Sequence, residues 1–212
     1  MLGLAEAGAD VVLHYGGSAA EAGATASDAA ARGARVEVVQ ADLGDPAAAA
    51  SLVEAAGELA PIRVLVNSAA VFPEDSLAEI TAERWDRTFA VNLRAPVLLT
   101  RAFAAALPGG VEGAVVNVTD WRTARPYRDH FSYTVAKGGI DTFTLAAAEA
   151  LAPQVRVNGV ALGAILPPPG KDSDYLKDLA RHIPVEQVGG TAPVVDAVLF
   201  LLRNDFVTGE II

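Results

Sequence analysis

Short runs of β-branched and other apolar residues alternate along this chain with longer, alanine-rich stretches whose apolar positions recur every three or four residues. The first kind predicts strands over Asp10–His14, Arg35–Gln40, Arg63–Asn67, Gly113–Val118 and Arg156–Ala161. The second predicts helices near Ala19–Arg32, Pro46–Leu59, Ala82–Leu107 and His130–Leu151, with shorter ones around Tyr175–Arg181 and Ala192–Arg203. Alternation of this kind is the pattern of a parallel sheet covered by helices on both faces. Asp45 followed by Pro46 is a helix start signal, a side-chain acceptor at the cap with proline in the first turn. Met1–Asp10 reads as the last turns of a helix closed by Gly8. Open sheets of this type bind ligands at the carboxyl ends of their strands.

Composition narrows the function classes. At 212 residues, 52% hydrophobic and only 20% charged, the chain reads as one globular domain with ample core, without repeats or disordered segments. A net charge of −10 argues against a nucleic-acid or anionic-membrane surface, since both call for basic patches. The absence of cysteine excludes disulfides, thiol catalysis and cysteine-ligated zinc. The apolar run at Val194–Leu202 is too short to span a bilayer, and no basic region precedes a cleavable apolar segment at the start, so a cytoplasmic protein is the default. His14, His130 and His182 do not pair at metal-ligand spacings, and there is no P-loop, G-x-S-x-G elbow or H-E-x-x-H; no metal is expected.

The chemistry concentrates in Asn117–Lys137, NVTDWRTARPYRDHFSYTVAK, where a strand ends, a loop crosses and a helix begins. Tyr133 and Lys137, four residues apart, share one helix face. An ordinary tyrosine, with a pKa of about 10, is a poor proton donor at neutral pH. A cation held beside it favours the phenolate and is expected to lower that value, so that the phenol can give a proton to an oxygen or nitrogen where negative charge builds.

Tyr133-x-x-x-Lys137 lies in YTVAKGGIDTFTLAAAEALAPQVRVNGVALG, with Asp120 thirteen residues before the tyrosine and the strand Arg156-Val157-Asn158-Gly159-Val160 after it. This resembles the short-chain dehydrogenase/reductase family over almost the whole chain. Asp120, where most members carry serine, resembles the pteridine-reductase branch. The implied fold is a doubly wound, Rossmann-like parallel sheet that lacks its first strand and the glycine-rich loop. The domain, residues 1–212, is therefore expected to be incomplete at its N-terminus and to stop early after Thr208–Ile212. By the resemblance the missing strand lies in mid-sheet, so its loss should leave a gap with unpaired backbone groups on both sides.

The resemblance also implies roles along the carboxyl edge. In His14-Tyr15-Gly16-Gly17-Ser18, His14 and Ser18 match the corner that receives the adenosine end of NADPH. No acid stands there to repel a 2′-phosphate, although relatives often have arginine where this chain has Gly17. Asp42-Leu43 match the adenine position, and Asn67-Ser68-Ala69-Ala70 the segment along ribose and pyrophosphate, where small residues such as Ala69 let the backbone approach. Phe72 matches an aromatic that stacks on a flat pterin. Asn92, an amide in mid-helix, matches the residue that holds a water linking the lysine to solvent. Ile165 matches the backbone that meets the nicotinamide carboxamide, within the stiff Gly163–Gly170 segment and its three prolines; the stretch from Lys171 to Arg181 matches the substrate lid.

At the centre the resemblance makes Tyr133 the proton donor and Lys137 its pKa modulator and a ribose ligand, with Asp120 in the serine's place. A carboxylate only accepts unless protonated, whereas a hydroxyl does both. Near a tyrosinate and partly dry, Asp120 should favour its protonated form and bind an amino-pyrimidine NH or serve a ring nitrogen. The expected activity is therefore NADPH-dependent reduction of a small, pterin-like molecule, with NADP(H) as cofactor. A 3-oxoacyl or other carbonyl reductase and a non-catalytic truncated relative stay open as alternatives. Relatives of this kind assemble as homotetramers through the helices at Ala82–Leu107 and His130–Leu151.

Overall fold

The protein, described as a computed structural model over residues 1–167, 170 and 172–212 with Ser173 defined by its backbone, alternates strands and helices from end to end. Pro168, Pro169 and Lys171, part of the proline run and the start of the expected lid, lie outside the described residues. The order is α1 (Leu2–Glu6), β1 (Val11–Tyr15), α2 (Ala19–Ala30), β2 (Val36–Gln40), α3 (Ala48–Leu59), β3 (Val64–Asn67), α4 (Ala82–Phe89), α5 (Ala95–Ala106), β4 (Gly113–Asp120), α6 (Phe131–Leu151), β5 (Val155–Leu162), α7 (Ser173–Ala180) and α8 (Thr191–Arg203). The expected helix closed by Gly8 is α1, and Gly8 takes the left-handed φ of 87° that such an exit requires.

Every laddered pair is parallel. β1 pairs with β2, from Val11 opposite Val36 to Tyr15 opposite Gln40. β4 lies between β3 and β5. The two ladders are not hydrogen-bonded to each other. Helices carry the connection instead. α3 packs on α5 and touches β1, while α5 touches β3. Leu43, Leu52, Val91 and Ala95 form a buried cluster that joins the end of β2 to these helices.

Alternation along β4 and β5 sends Val115 and Val157 to one face, against Phe103 and Ala147 of α5 and α6. Val116 and Val160 turn to the other face, against Leu201 of α8. The R-V-N-x-V motif is explained by its surroundings. Arg156 donates to the carbonyls of Leu201 (2.8 Å) and Leu202 (3.0 Å) at the end of α8. Asn158, 1% exposed, donates to Val207 O and accepts from Glu210 N, which pins the last residues along β5.

Several predicted boundaries shift by one or two residues, and two of the departures have a visible cause. The Asp45–Pro46 signal caps a turn, with Asp45 Oδ1 accepting from Ala47 N, and α3 starts two residues after the proline. The long helix predicted at Ala82–Leu107 is interrupted: Ala90–Arg94 form one π-helical turn between α4 and α5. Asn92 sits in that turn and bonds the Val71 backbone with both ends of its amide, Oδ1 accepting from the N–H and Nδ2 donating to the carbonyl, each at 2.8 Å. A side chain that serves the backbone of another segment explains why the regular ladder gives way there.

Candidate active site

β4 ends at Asp120 and α6 carries Tyr133 and Lys137, so the sheet edge and the helix bring the three side chains together. The Tyr133 hydroxyl donates to Asp120 Oδ2 at 2.8 Å. Asp120 Oδ1 accepts from Arg122 N at 2.9 Å and so caps a short 3-10 turn at Trp121–Thr123. One carboxylate thus divides its oxygens between a loop and the tyrosine.

Lys137 is 4% exposed, its Nζ lies 5.7 Å from the Tyr133 ring centre, and it donates to Val118 O at 2.6 Å. α6 can lie this close to the sheet and the π turn because Gly139 has no side chain; a Cβ there would come within 2.8 Å of Leu93. Burial pulls the lysine's pKa down to about 8, against the opposing charges of Asp120 and Asp141.

The expected lowering of the tyrosine's pKa by Lys137 is not what this arrangement produces. Burial, first, and then the Asp120 charge and hydrogen bond push the Tyr133 hydroxyl well above its ordinary value, while Arg122 works the other way. The physical reason is that the phenol donates to a carboxylate, which stabilises the neutral form, and that the ammonium is turned to a backbone carbonyl.

The lysine's shift has a consequence for stability. Its folded pKa of about 8 lies below its ordinary 10.5, so the unfolded chain binds more protons between those values and stability rises with pH there. Denaturant unfolding at intervals from about pH 8 to pH 10 should show a gain on the order of 2 kcal/mol that is absent from Lys137→Met. An equal pH dependence in the two proteins would show that Lys137 is not its source.

Phe72 borders the same space. Its ring meets Tyr133 edge-on at 4.6 Å and is stacked on His130 at 3.7 Å and 11°. One face of the aromatic expected to stack on a substrate is therefore already covered by an imidazole. His130 takes the left-handed conformation at φ 49° and donates from Nδ1 to Pro73 O at 2.8 Å. Arg122, missed in the sequence, lies 5.8 Å from the centre of Phe72 and 5.1 Å from that of Tyr127, and pairs with Asp129 at 2.9 Å. Nothing in its spacing marked it, because its partners are ring faces and a loop carboxylate that only the fold assembles.

The residues assigned to the cofactor follow the carboxyl ends of the strands. His14 donates from Nε2 to Ala41 O at 2.9 Å, bridging the ends of β1 and β2. Ser18 is the exposed N-cap of α2, with no side-chain cap bond. Asp42 accepts through Oδ1 from Gly44 N and Arg87, in that order of effect, and both hold its carboxyl below the usual range. The Leu43 side chain is buried with Leu52 and Val91, so what it offers a ligand is backbone. Asn67, at the end of β3, donates to Asn117 Oδ1 at 2.8 Å, while its own Oδ1 is buried with no partner among the described residues. Ala69 is exposed beside it, and Ile165, half-buried, packs near Gly189 beyond β5.

A buried acceptor without a donor, next to exposed small residues at a strand end, fits a ligand that brings hydroxyl groups, as a nucleotide ribose does. The parallel sheet gathers Tyr133, Lys137 and Asp120 at its carboxyl edge, the arrangement that the resemblance to the short-chain dehydrogenase/reductase family implies. Comparison with known proteins agrees. Residues 2–212 match the family model described as enoyl-(acyl carrier protein) reductase. L-xylulose reductase of Homo sapiens is 36% identical over 183 residues, covering 82% of this chain and 74% of the relative. FolM alternative dihydrofolate reductase 1 from Brucella canis, in a crystal structure with NADP, superposes with a TM-score of 0.93 at 34% identity, covering 99% of this chain and 84% of that one. A blue fluorescent protein from a metagenomic library, crystallised with NADPH, gives a TM-score of 0.88 at 28% identity. The chain belongs to the short-chain dehydrogenase/reductase family.

Proposed function

We propose that this protein is an NADPH-dependent reductase of a pterin-like substrate of the dihydropterin and dihydrofolate class. It is an oxidoreductase, and NADP(H) is its cofactor, held by Asn67, Ala69 and Ile165, by His14 and Ser18 at the adenosine end, by Asp42 and the Leu43 backbone at the adenine, and by Lys137 at a ribose. Bound there, the cofactor supplies a hydride. The observation that carries the reading is the 2.8 Å contact between Tyr133 and Asp120, a carboxylate in the place where a ketone-reducing relative has a hydroxyl. The Brucella canis FolM structure supports the same choice.

The chain's own residues manage the proton. Hydride addition to the carbon of a C=N bond leaves a ring nitrogen to be protonated; the Tyr133 hydroxyl is the donor once its hydrogen turns from Asp120 to that nitrogen, where the building negative charge offsets its raised pKa. Asp120 holds that hydroxyl in place and accepts an amino or ring N–H of the substrate. Lys137, with a pKa of about 8, is close enough to neutrality to pass its proton on and recover it. Asn92 serves the return path through a water, using the hydrogen-bonding capacity that Val71 leaves over. Phe72, half-exposed and braced by His130, offers its remaining surface to a flat ring, worth about 0.5–1.5 kcal/mol beyond burial.

A carbonyl reductase is the second reading, supported by the identity to L-xylulose reductase. NADPH titration followed by nicotinamide fluorescence, then turnover with dihydrobiopterin, dihydrofolate, L-xylulose and a 3-oxoacyl thioester, separates them. Pterin turnover supports the proposal. Turnover of the carbonyl substrates alone selects the second reading, and absence of cofactor binding to folded protein overturns both. No helix of the described residues is long and apolar enough to cross a membrane. A cytoplasmic homotetramer is the proposed form, packed through α4–α6, where Val135 and Leu145 of α6 are exposed; light scattering of the purified protein tests the assembly.

A further inference from the structure

His130 stands at the N-cap of α6, yet its side chain caps nothing, because its ring is turned to Phe72 and Pro73. The first turn of a helix carries amide donors without intrahelical partners, and leaving such groups buried and unpaired is costly. Here another segment meets them. The Asp75 carbonyl accepts from Phe131 N at 3.2 Å. Asp75 Oδ1 accepts from Ser132 N at 3.1 Å, and Oδ2 from Ser132 Oγ at 2.5 Å. Asp75 is 3% exposed and Ser132 is wholly buried, with Thr88 of α4 3.3 Å from the serine oxygen. A carboxylate is also the charge that a helix N-terminus favours.

Ser132 immediately precedes Tyr133. The stretch Phe72–Asp75 therefore grips the start of the catalytic helix at successive points: Phe72 on the rings of His130 and Tyr133, the Pro73 carbonyl on the His130 ring, and Asp75 on the next two residues. We propose that Asp75 is a positioning residue for proton transfer, its carboxylate pinning the first turn of α6 so that the Tyr133 hydroxyl is held against Asp120. This rests on the reading of Tyr133 as proton donor. The distance that matters is small, since a displacement on the order of 1 Å at a reacting group can lower a rate by about 100-fold.

Asp75→Ala and Asp75→Asn, each confirmed folded by circular dichroism, test the assignment. The asparagine keeps an acceptor for Ser132 N and can donate to Ser132 Oγ, whose hydrogen then turns to Thr88. Asp75→Ala is expected to lower kcat by about tenfold or more with the KM for NADPH nearly unchanged, and Asp75→Asn to recover most of that loss. A second readout needs no substrate and so stands even if the proposed reaction is wrong. In a spectroscopic titration Asp75→Ala should add the amplitude of one more tyrosine ionising at accessible pH, and that addition should vanish in Asp75→Ala/Tyr133→Phe. A folded Asp75→Ala with unchanged kcat and titration overturns the proposal, as does an equal loss in the alanine and asparagine variants. If Asp75→Ala does not fold, Ser132→Ala, which removes one of the two side-chain contacts, is read in the same two assays; no change in either overturns it.

Discussion

Tyr133→Phe is expected to lower kcat/KM for the physiological substrate by about a thousandfold while leaving NADPH affinity within about twofold of the parent, as loss of a positioned general acid does. The hydroxyl donates to Asp120 Oδ2 at 2.8 Å, and phenylalanine preserves the ring that packs edge-on against Phe72. The loss should fall on kcat, because the hydroxyl's proton is needed only as charge builds on the reacting substrate. Removing the hydroxyl also leaves Asp120 Oδ2 short of a donor, at a cost of about 1–3 kcal/mol in stability. Steady-state kinetics with single-turnover controls, alongside denaturant unfolding, would measure both. A variant that retained a tenth of the parent's kcat would remove Tyr133 from the proton path.

Asp120→Ser addresses the substrate. Serine restores a neutral hydroxyl that donates and accepts, which suits a carbonyl oxygen, and takes away the carboxylate that suits an amino-pyrimidine. Turnover of dihydropterins should fall by about 100-fold, with turnover of simple carbonyl compounds unchanged or higher. The Tyr133 titration should respond too. After burial, the Asp120 charge and hydrogen bond are the largest causes that raise the tyrosine's pKa, so in Asp120→Ser it must fall. Kinetics on both substrate classes and a tyrosinate titration are the measurements. Equal losses on pterins and carbonyls would mean that Asp120 serves the fold of the loop, through its bond to Arg122 N, rather than the choice of substrate.

The order of elements was readable from periodicity because the strands of a sheet covered on both faces are continuous apolar runs. Gly113–Val118 is such a run, and its outcome differs from the expectation by two residues at the C-terminal end. Boundaries moved where side chains served neighbours instead of their own helix. Asp45 capped a turn, and Asn92 broke a helix by bonding Val71, a residue 21 positions away. Spacing put Tyr133 and Lys137 on one helix face, and the family resemblance singled them out together with Asp120; the structure brings the three side chains together. Their electrostatics were not legible, since the direction of the tyrosine's shift depends on which partner the hydroxyl faces. Arg122, His130 and Asp75 escaped for a related reason. Each acts on groups contributed by distant stretches, such as Asp75 on Ser132 across 57 positions, and no local pattern records such a meeting.

The strands form two ladders without hydrogen bonds between them, β1 with β2 and β3 with β4 and β5. The contact between the ladders runs through helices, α3 packing on α5 and touching β1 while α5 touches β3. His14 stands on β1 and Asp42 just after β2, whereas Asp120 ends β4 and α6 carries Tyr133 and Lys137. A ligand that met both groups of residues would span a seam of packed side chains rather than a continuous sheet.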